Sequence, residues 1–171
     1  MLISALIVNV THGYLLVSQR DDRKSSISSH ATHSKQTYVL YLIAHLLGGF
    51  FFIIFAYKFF VIDYNTSWIF VLAVVTVFFE YLQAFIPYKG KSELMHGMAA
   101  YGMWLFYLIV GYAAIINLPL RVETRLIALP FLICPIILGI YANYHRQKMY
   151  WLQMIIISSF CIGMLIIATG K

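Results

Sequence analysis

Residues 66–87 read TSWIFVLAVVTVFFEYLQAFIP, a run that is apolar or aromatic at most positions and holds one charged residue, Glu80. A bilayer's hydrocarbon core takes about 20 apolar residues in a helix, so the run has the length of a membrane span. The same standard is met or approached by five further segments, 2–17, 38–62, 95–118, 125–144 and 149–169. The fold class that follows is all-α, an integral membrane bundle of six transmembrane helices with the first one short. Segment 2–17 contains Asn9, Thr11 and His12 and reads as a short tilted span. No positive charge precedes its apolar run and no small-residue cleavage site follows, which is unlike a signal peptide.

Composition points the same way. Of 171 residues, 62% are hydrophobic and 11% charged, and the mean hydropathy is +0.83. A water-soluble domain carries about a quarter of its residues as charges, so an ordinary soluble enzyme is excluded. The 13 Phe and 13 Tyr exclude disorder. The net charge of +6 reads as attraction to anionic headgroups. The expected partners are therefore membrane lipids, with room for a second copy or another membrane protein. No soluble basic face exists to take nucleic acid.

Lys and Arg gather on cytoplasmic loops. Arg20, Arg23, Lys24, Lys35, Lys89, Lys91, Arg146 and Lys148 follow spans one, three and five, against Lys58, Arg121, Arg125 and Lys171 on the other side. Eight against four predicts a multi-pass protein of the cell membrane with extracytoplasmic N- and C-termini. Residues 18–37 form a polar cytoplasmic loop, and the other connections are short, so the chain 1–171 reads as one domain. Tyr57, Tyr64 and Trp68 mark one interface, and Tyr88, Tyr144, Tyr150 and Trp151 the other. Pro130 and Pro135 fall inside span five and predict a loosened, cavity-lining helix. Cys134 and Cys161 read as small packing residues.

Ionisable groups within spans are costly and mark function. Counted at 1.5 Å per residue, His12, His45 and Glu80 each lie roughly 8–10 Å from the cytoplasmic ends of their helices. His96 opens span four and His145 closes span five at the same side. Thr76, Glu80 and Gln83 fall at i, i+4 and i+7 and give span three one polar stripe. His45 shares a helix face with Tyr41, Gly48 and Gly49, where small residues admit another backbone. Ser92 and Glu93 precede His96 as a cap and a dipole-compensating acid. His145, beside Arg146 and Lys148, reads as a headgroup contact. The loop pair His30 and His33 carries little weight as half a metal site.

This set suits two chemistries. Glu80, His45 and His96 can serve as acid and base, or hold a divalent metal with an open position for water. Haem is disfavoured: His45 with His96 or His12 would hold one, but the one-sided depth excludes a second on the opposite side. His12, Ser28, Gln83 and Lys35 are the binding residues of the pocket and its rim, with the Ser25–Ser29 run and Lys35 meeting phosphate.

Ser26-Ile27-Ser28, followed by Tyr38 to Phe60 with Gly48-Gly49 inside, resembles the opening of the domain of unknown function 998 family of polytopic membrane proteins. The junction Ala84-Phe85-Ile86-Pro87 through Met95-His96-Gly97-Met98-Ala99-Ala100-Tyr101 is similar to that family's second signature, and Tyr150-Trp151-Leu152-Gln153 to the start of its last helix. The chain departs from the pattern at Ser29-His30, where the family carries Leu-Gly. The resemblance implies a polytopic helical fold, marks Ser28 and His96, and implies no particular activity. The sequence thus predicts a membrane protein that binds or modifies a lipid or amphiphile in a polar pocket of its cytoplasmic half, catalytic or not. A proton-coupled small-molecule carrier and a non-catalytic scaffold or assembly protein are the alternatives.

Overall fold

The computed structural model describes residues 1–18, 26–144 and 149–170, and all of its regular structure is helical. The order is α1 (Leu2–Ser18), α2 (Ile27–Ala31), α3 (Lys35–Ala56), α4 (Ser67–Phe85), α5 (Glu93–Asn117), α6 (Val122–Tyr144) and α7 (Met149–Thr169). Among the described residues, five helices are long and apolar enough to cross a membrane, and α1 is a shorter apolar helix beside them. The six expected segments are thus present within a few residues of their predicted ends. The expectations for Arg20, Arg23, Lys24, Ser25, His145, Arg146, Lys148 and Lys171 lie outside the described residues, as do the side chains of Tyr144 and Tyr150.

Local chemistry sets the ends. Ser34 accepts from the Thr37 backbone N–H while the Thr37 hydroxyl accepts from the Ser34 N–H, a reciprocal cap that starts α3. At its far end α3 widens into a π-helical segment, Tyr57–Asp63, and Asn65 turns the chain with a left-handed φ of 53°, a conformation asparagine tolerates. Pro87 ends α4 by forcing Ile86 into an extended conformation. The polar stretch 18–37 is more than a solvated loop: Ser26 caps α2, whose Ile27, Ser28, His30 and Ala31 are all buried.

Packing closes a ring. α1 lies on α3, α3 on α4, α4 on α5, α5 on α7, and α7 returns to α1. The α7–α1 seam is a hydrogen bond from the Ser158 hydroxyl to Asn9 Oδ1 at 2.9 Å, and the α5–α7 seam stacks Tyr107 against Phe160. α6 stands outside the ring, chiefly against α7. α6 runs unbroken through Pro130 and Pro135; it turns Ile133, Ile137 and Ile140 outward and buries Ala128 and Leu132 in the apolar core. The ring closes without it because α7 bridges α1 and α5.

Val71, Phe78, Met98 and Ile116 are each more than half exposed on the outer surface, an arrangement suited to lipid and not to water. A large apolar cluster around Phe52, Phe60, Val110, Leu132 and Met164 fills one half of the bundle, and a smaller one around Leu15, Ile27, Ala31, Tyr41 and Ala84 fills the other end. The polar side chains lie between and beside them.

Gly49 is needed for close approach: a Cβ there would meet Tyr81 Cε1 at 2.6 Å and Val77 Cγ1 at 2.8 Å, whereas a Cβ on Gly13 would meet nothing within 4 Å. Gly49→Leu should destabilise the purified protein by about 1 to 3 kcal/mol through overpacking, and Gly13→Ala should be neutral or slightly stabilising. Thermal melts in one detergent compare the two.

Candidate functional site

The site is built on the polar stripe of α4. Thr76, Glu80 and Gln83 are all buried, as periodicity predicts. Thr76 returns its hydroxyl to the Leu72 carbonyl at 2.8 Å and takes no further part.

Glu80 is held on both oxygens. His45 Nδ1 lies 3.0 Å from Oε1, and the Tyr107 hydroxyl donates to Oε2 at 2.8 Å. Beyond His45, its Nε2 meets His12 Nε2 at 3.4 Å. The result is a continuous chain, His12–His45–Glu80–Tyr107, with one residue from each of α1, α3, α4 and α5. All three ionisable members are under 5% exposed. Gly48 makes room for it: a Cβ there would strike Val8 of α1 at 2.7 Å and stand 3.8 Å from Glu80 Oε1.

The chemistry of this chain follows from which atoms can donate. The carboxylate needs donors, since an unpaired charge in low dielectric is very costly. Tyr107 supplies one and His45 Nδ1–H the other. That fixes the His45 tautomer: when neutral, Nε2 carries a lone pair and accepts from His12 Nε2–H. Moving one proton onto His45 Nε2 turns the ring into an imidazolium beside the carboxylate and reverses the bond to His12. With the ring neutral the carboxylate's charge rests on its two donors, and with the ring an imidazolium the pair as a whole is neutral.

A second cluster abuts the first. His96 on the first turn of α5 donates from Nδ1 to the Ile86 carbonyl at 2.6 Å, and its Nε2 lies 2.8 Å from the Ser28 hydroxyl on α2. Gln83 Nε2 donates to the Tyr41 hydroxyl at 3.2 Å. Tyr41 faces Ser28 with its phenol and sets its ring edge-on to His45, centroids 4.3 Å apart. Tyr41 is thus the side chain shared by the two clusters.

The structure joins His12, His45 and Glu80 directly, and links Gln83 through Tyr41. It does not join His96 to Glu80: α5 begins where α4 has already ended, so His96 reaches the Ile86 carbonyl and Ser28. The three-residue metal set His45, His96 and Glu80 is accordingly not assembled, and among the described residues no group of three or more His, Cys, Asp or Glu could hold a metal ion. Ser28 is not a rim residue but a buried one, because α2 folds inward. Lys35 is exposed at the start of α3. Ser92 does not cap α5: its hydroxyl donates to the Pro87 and Lys89 carbonyls. His30 is buried in α2 with Nδ1 at 3.0 Å from the Ser26 carbonyl oxygen, while His33 is exposed. Cys134 and Cys161 are both free thiols.

Sequence reasoning missed Tyr107, Tyr41 as the link, and Gln153, whose Oε1 accepts from the Ile27 N–H and ties α2 to α7. With 13 tyrosines in the chain, one more aromatic in an apolar helix gives no separate signal. No family model, curated protein or solved structure matches the chain.

Removing one donor from Glu80 has a measurable expected cost. Tyr107→Phe should destabilise by about 0.5 to 2 kcal/mol, the range for hydrogen bonds between membrane helices. His45→Ala should cost more, since it also detaches His12. A double-mutant cycle on His45 and Tyr107, read by thermal or denaturant unfolding in micelles, should show non-additivity, because both act through one carboxylate.

Proposed function

We propose that this multi-pass membrane protein binds an amphiphile by its polar headgroup in the cytoplasmic half of the bilayer and performs acid–base chemistry on it. The observation that carries this reading is the buried His12–His45–Glu80–Tyr107 chain, three ionisable groups and a phenol placed where lipid would otherwise exclude them. Such groups persist in a membrane when function uses them.

Glu80 and His45 form the proton-exchanging pair. Tyr107 and His12 hold its two ends, and His96, Ser28 and Lys35 face the headgroup side. The bias of Lys and Arg puts this end in the cytoplasm and both termini outside. A groove of about 440 Å3 lined by Val10, Thr11, Tyr14, Gln36, Thr37 and Leu40 opens between α1 and α3 at the same end. Its mixture of apolar and hydroxyl side chains suits an acyl chain below a headgroup. Thr37 both lines it and donates to the Ala31 carbonyl of α2 at 2.9 Å, so the groove adjoins the helix that carries Ser28.

One observation favours the second reading, a proton-coupled carrier: the three ionisable members of the chain, His12, His45 and Glu80, are closed off from the surface. A carrier would also need polar groups leading to the opposite side. The described residues there place Asp63 at the exposed end of α3 and engage Arg125 with the Leu118 carbonyl at 2.9 Å, and the Phe52–Phe60 apolar cluster lies between them and Glu80.

Infrared difference spectra of the protein in nanodiscs, recorded on an acid jump, test the proton pair. Wild type should show a carboxyl band that Glu80→Gln removes and Tyr107→Phe shifts. Native mass spectra should show a bound phospholipid in wild type that Lys35→Ala and Tyr14→Ala deplete several-fold. An unchanged infrared spectrum in Glu80→Gln overturns the acid–base role, and unchanged lipid occupancy in both groove variants overturns the amphiphile site.

A further inference from the structure

We propose that Ser28 and His96 form a nucleophile–base pair that cleaves the carboxylic ester of a membrane amphiphile. The inference rests on the reading that an amphiphile enters at this end, but not on the proton chain of Glu80.

The geometry supplies each part such a pair requires. A nucleophilic serine needs a base within hydrogen-bond reach, and the base needs a third group that orients it. The Ser28 hydroxyl and His96 Nε2 are 2.8 Å apart. The orienting group is the Ile86 carbonyl, 2.6 Å from His96 Nδ1. A carbonyl oxygen can only accept, so Nδ1 must carry the proton. The neutral ring then has its lone pair on Nε2, directed at the Ser28 O–H. That is the tautomer a general base needs, and it is imposed by a backbone atom that cannot itself ionise.

In this scheme the Tyr41 hydroxyl is the donor for the developing oxyanion. Gln83 Nε2 donates to the Tyr41 oxygen at 3.2 Å, which leaves the Tyr41 O–H proton to donate elsewhere, and the phenol faces Ser28. Preorganised donors of this kind stabilise the charge that forms on an attacked carbonyl oxygen.

The steps balance as follows. Ser28 Oγ attacks the ester carbonyl carbon and its proton passes to His96 Nε2. The carbonyl oxygen becomes an oxyanion held by Tyr41 O–H. The C–O bond to the alcohol breaks, and His96 returns the proton to the departing alkoxide, leaving an acyl group on Ser28. Water then attacks that acyl carbon, giving its proton to His96 Nε2. The bond to Ser28 Oγ breaks, His96 reprotonates the serine, and a carboxylic acid leaves.

The substrate class follows from the surroundings. Ser28 lies on α2 between Ile27 and Ala31 of an apolar cluster, and α2 adjoins the groove through the Thr37–Ala31 hydrogen bond. The acyl chain would lie in the groove and the headgroup toward Lys35.

The test uses the full chain in nanodiscs, with a fluorophosphonate as the serine-reactive probe and p-nitrophenyl myristate as the ester. The expected result is a stoichiometric adduct mapped to Ser28 by peptide mass spectrometry, together with ester turnover. Ser28→Ala and the bulk-conserving Ser28→Cys should lose the adduct while Ser29→Ala keeps it, and retained thermal melting of Ser28→Cys shows that the hydroxyl, not the fold, was lost. His96→Gln should slow labelling by about a hundredfold or more, the range for a general base, and should abolish the rise in rate with pH that wild type shows as the ring loses its proton. Tyr41→Phe should slow turnover more than labelling. Absence of a Ser28 adduct in wild type, absence of ester turnover, or labelling of His96→Gln at the wild-type rate would each overturn the proposal. Glu80→Gln should label normally. A Ser28 adduct with normal infrared spectra in Glu80→Gln would refute the proton chain alone, and an infrared band lost without any Ser28 adduct would refute the pair alone.

Discussion

A carboxylate in the middle of a membrane bundle is tolerable only if several groups converge on it, and the contact between Glu80 and His45 is where that requirement is met. At 3.0 Å the His45 Nδ1–H reaches one carboxylate oxygen directly, and the Tyr107 hydroxyl reaches the other. The surrounding structure is arranged by this demand. Gly48 exists as a glycine because a side chain there would hold α1 away and crowd Glu80 Oε1. α1, too short to be an ordinary span, is kept against α3 by His12 on His45 and against α7 by the Ser158–Asn9 hydrogen bond. Tyr107 brings α5 to the other carboxylate oxygen. Four of the five ring helices therefore meet at one acid. The fifth, α7, supports the arrangement by packing Phe160 on Tyr107.

The legible part of this site is the part that periodicity and cost can reach. Glu80 stands out because burying an acid is expensive and because Thr76 and Gln83 share its helix face. His12 and His45 were legible as a level, since counting residues from helix ends gives them one depth. Tyr107 was not. At 1.5 Å per residue it lies about 21 Å along α5, whereas Glu80 is about 8 Å from the end of α4. A depth count would place them in different layers, and helix tilt together with two long side chains brings them to 2.8 Å. Ser28 was misplaced for a different reason. A stretch with no periodicity gives no information about which face is buried, so α2 and its contacts with His96 and Gln153 had to come from tertiary packing. The prolines of α6 carry a strong local signal, yet the helix runs unbroken through both, and which of its faces is buried is set by α7 and α5.

The two polar clusters differ in what can reach them. His12, His45 and Glu80 are enclosed by α1, α3, α4 and α5, and an amphiphile approaching from the α1–α3 groove meets α2, Thr37 and Tyr41 first. The Ser28–His96 contact lies on the α2 side of Tyr41, and the Glu80 chain lies on its other side. Tyr41 is the only side chain among those named that touches both, with its hydroxyl on the Ser28 and Gln83 side and its ring edge against His45.

That position gives Tyr41 a consequence for how the halves are coupled. Its hydroxyl takes a proton contact from Gln83, which lies one turn along α4 from Glu80, so any shift of α4 that follows a change of charge on the His45–Glu80 pair also moves the group that fixes the Tyr41 oxygen. The edge-on ring contact works in the same direction: an imidazolium at His45 attracts an aromatic ring differently from a neutral imidazole. Tyr41 is packed between the two clusters at 3% exposure, its hydroxyl accepting from Gln83 and its ring edge against His45.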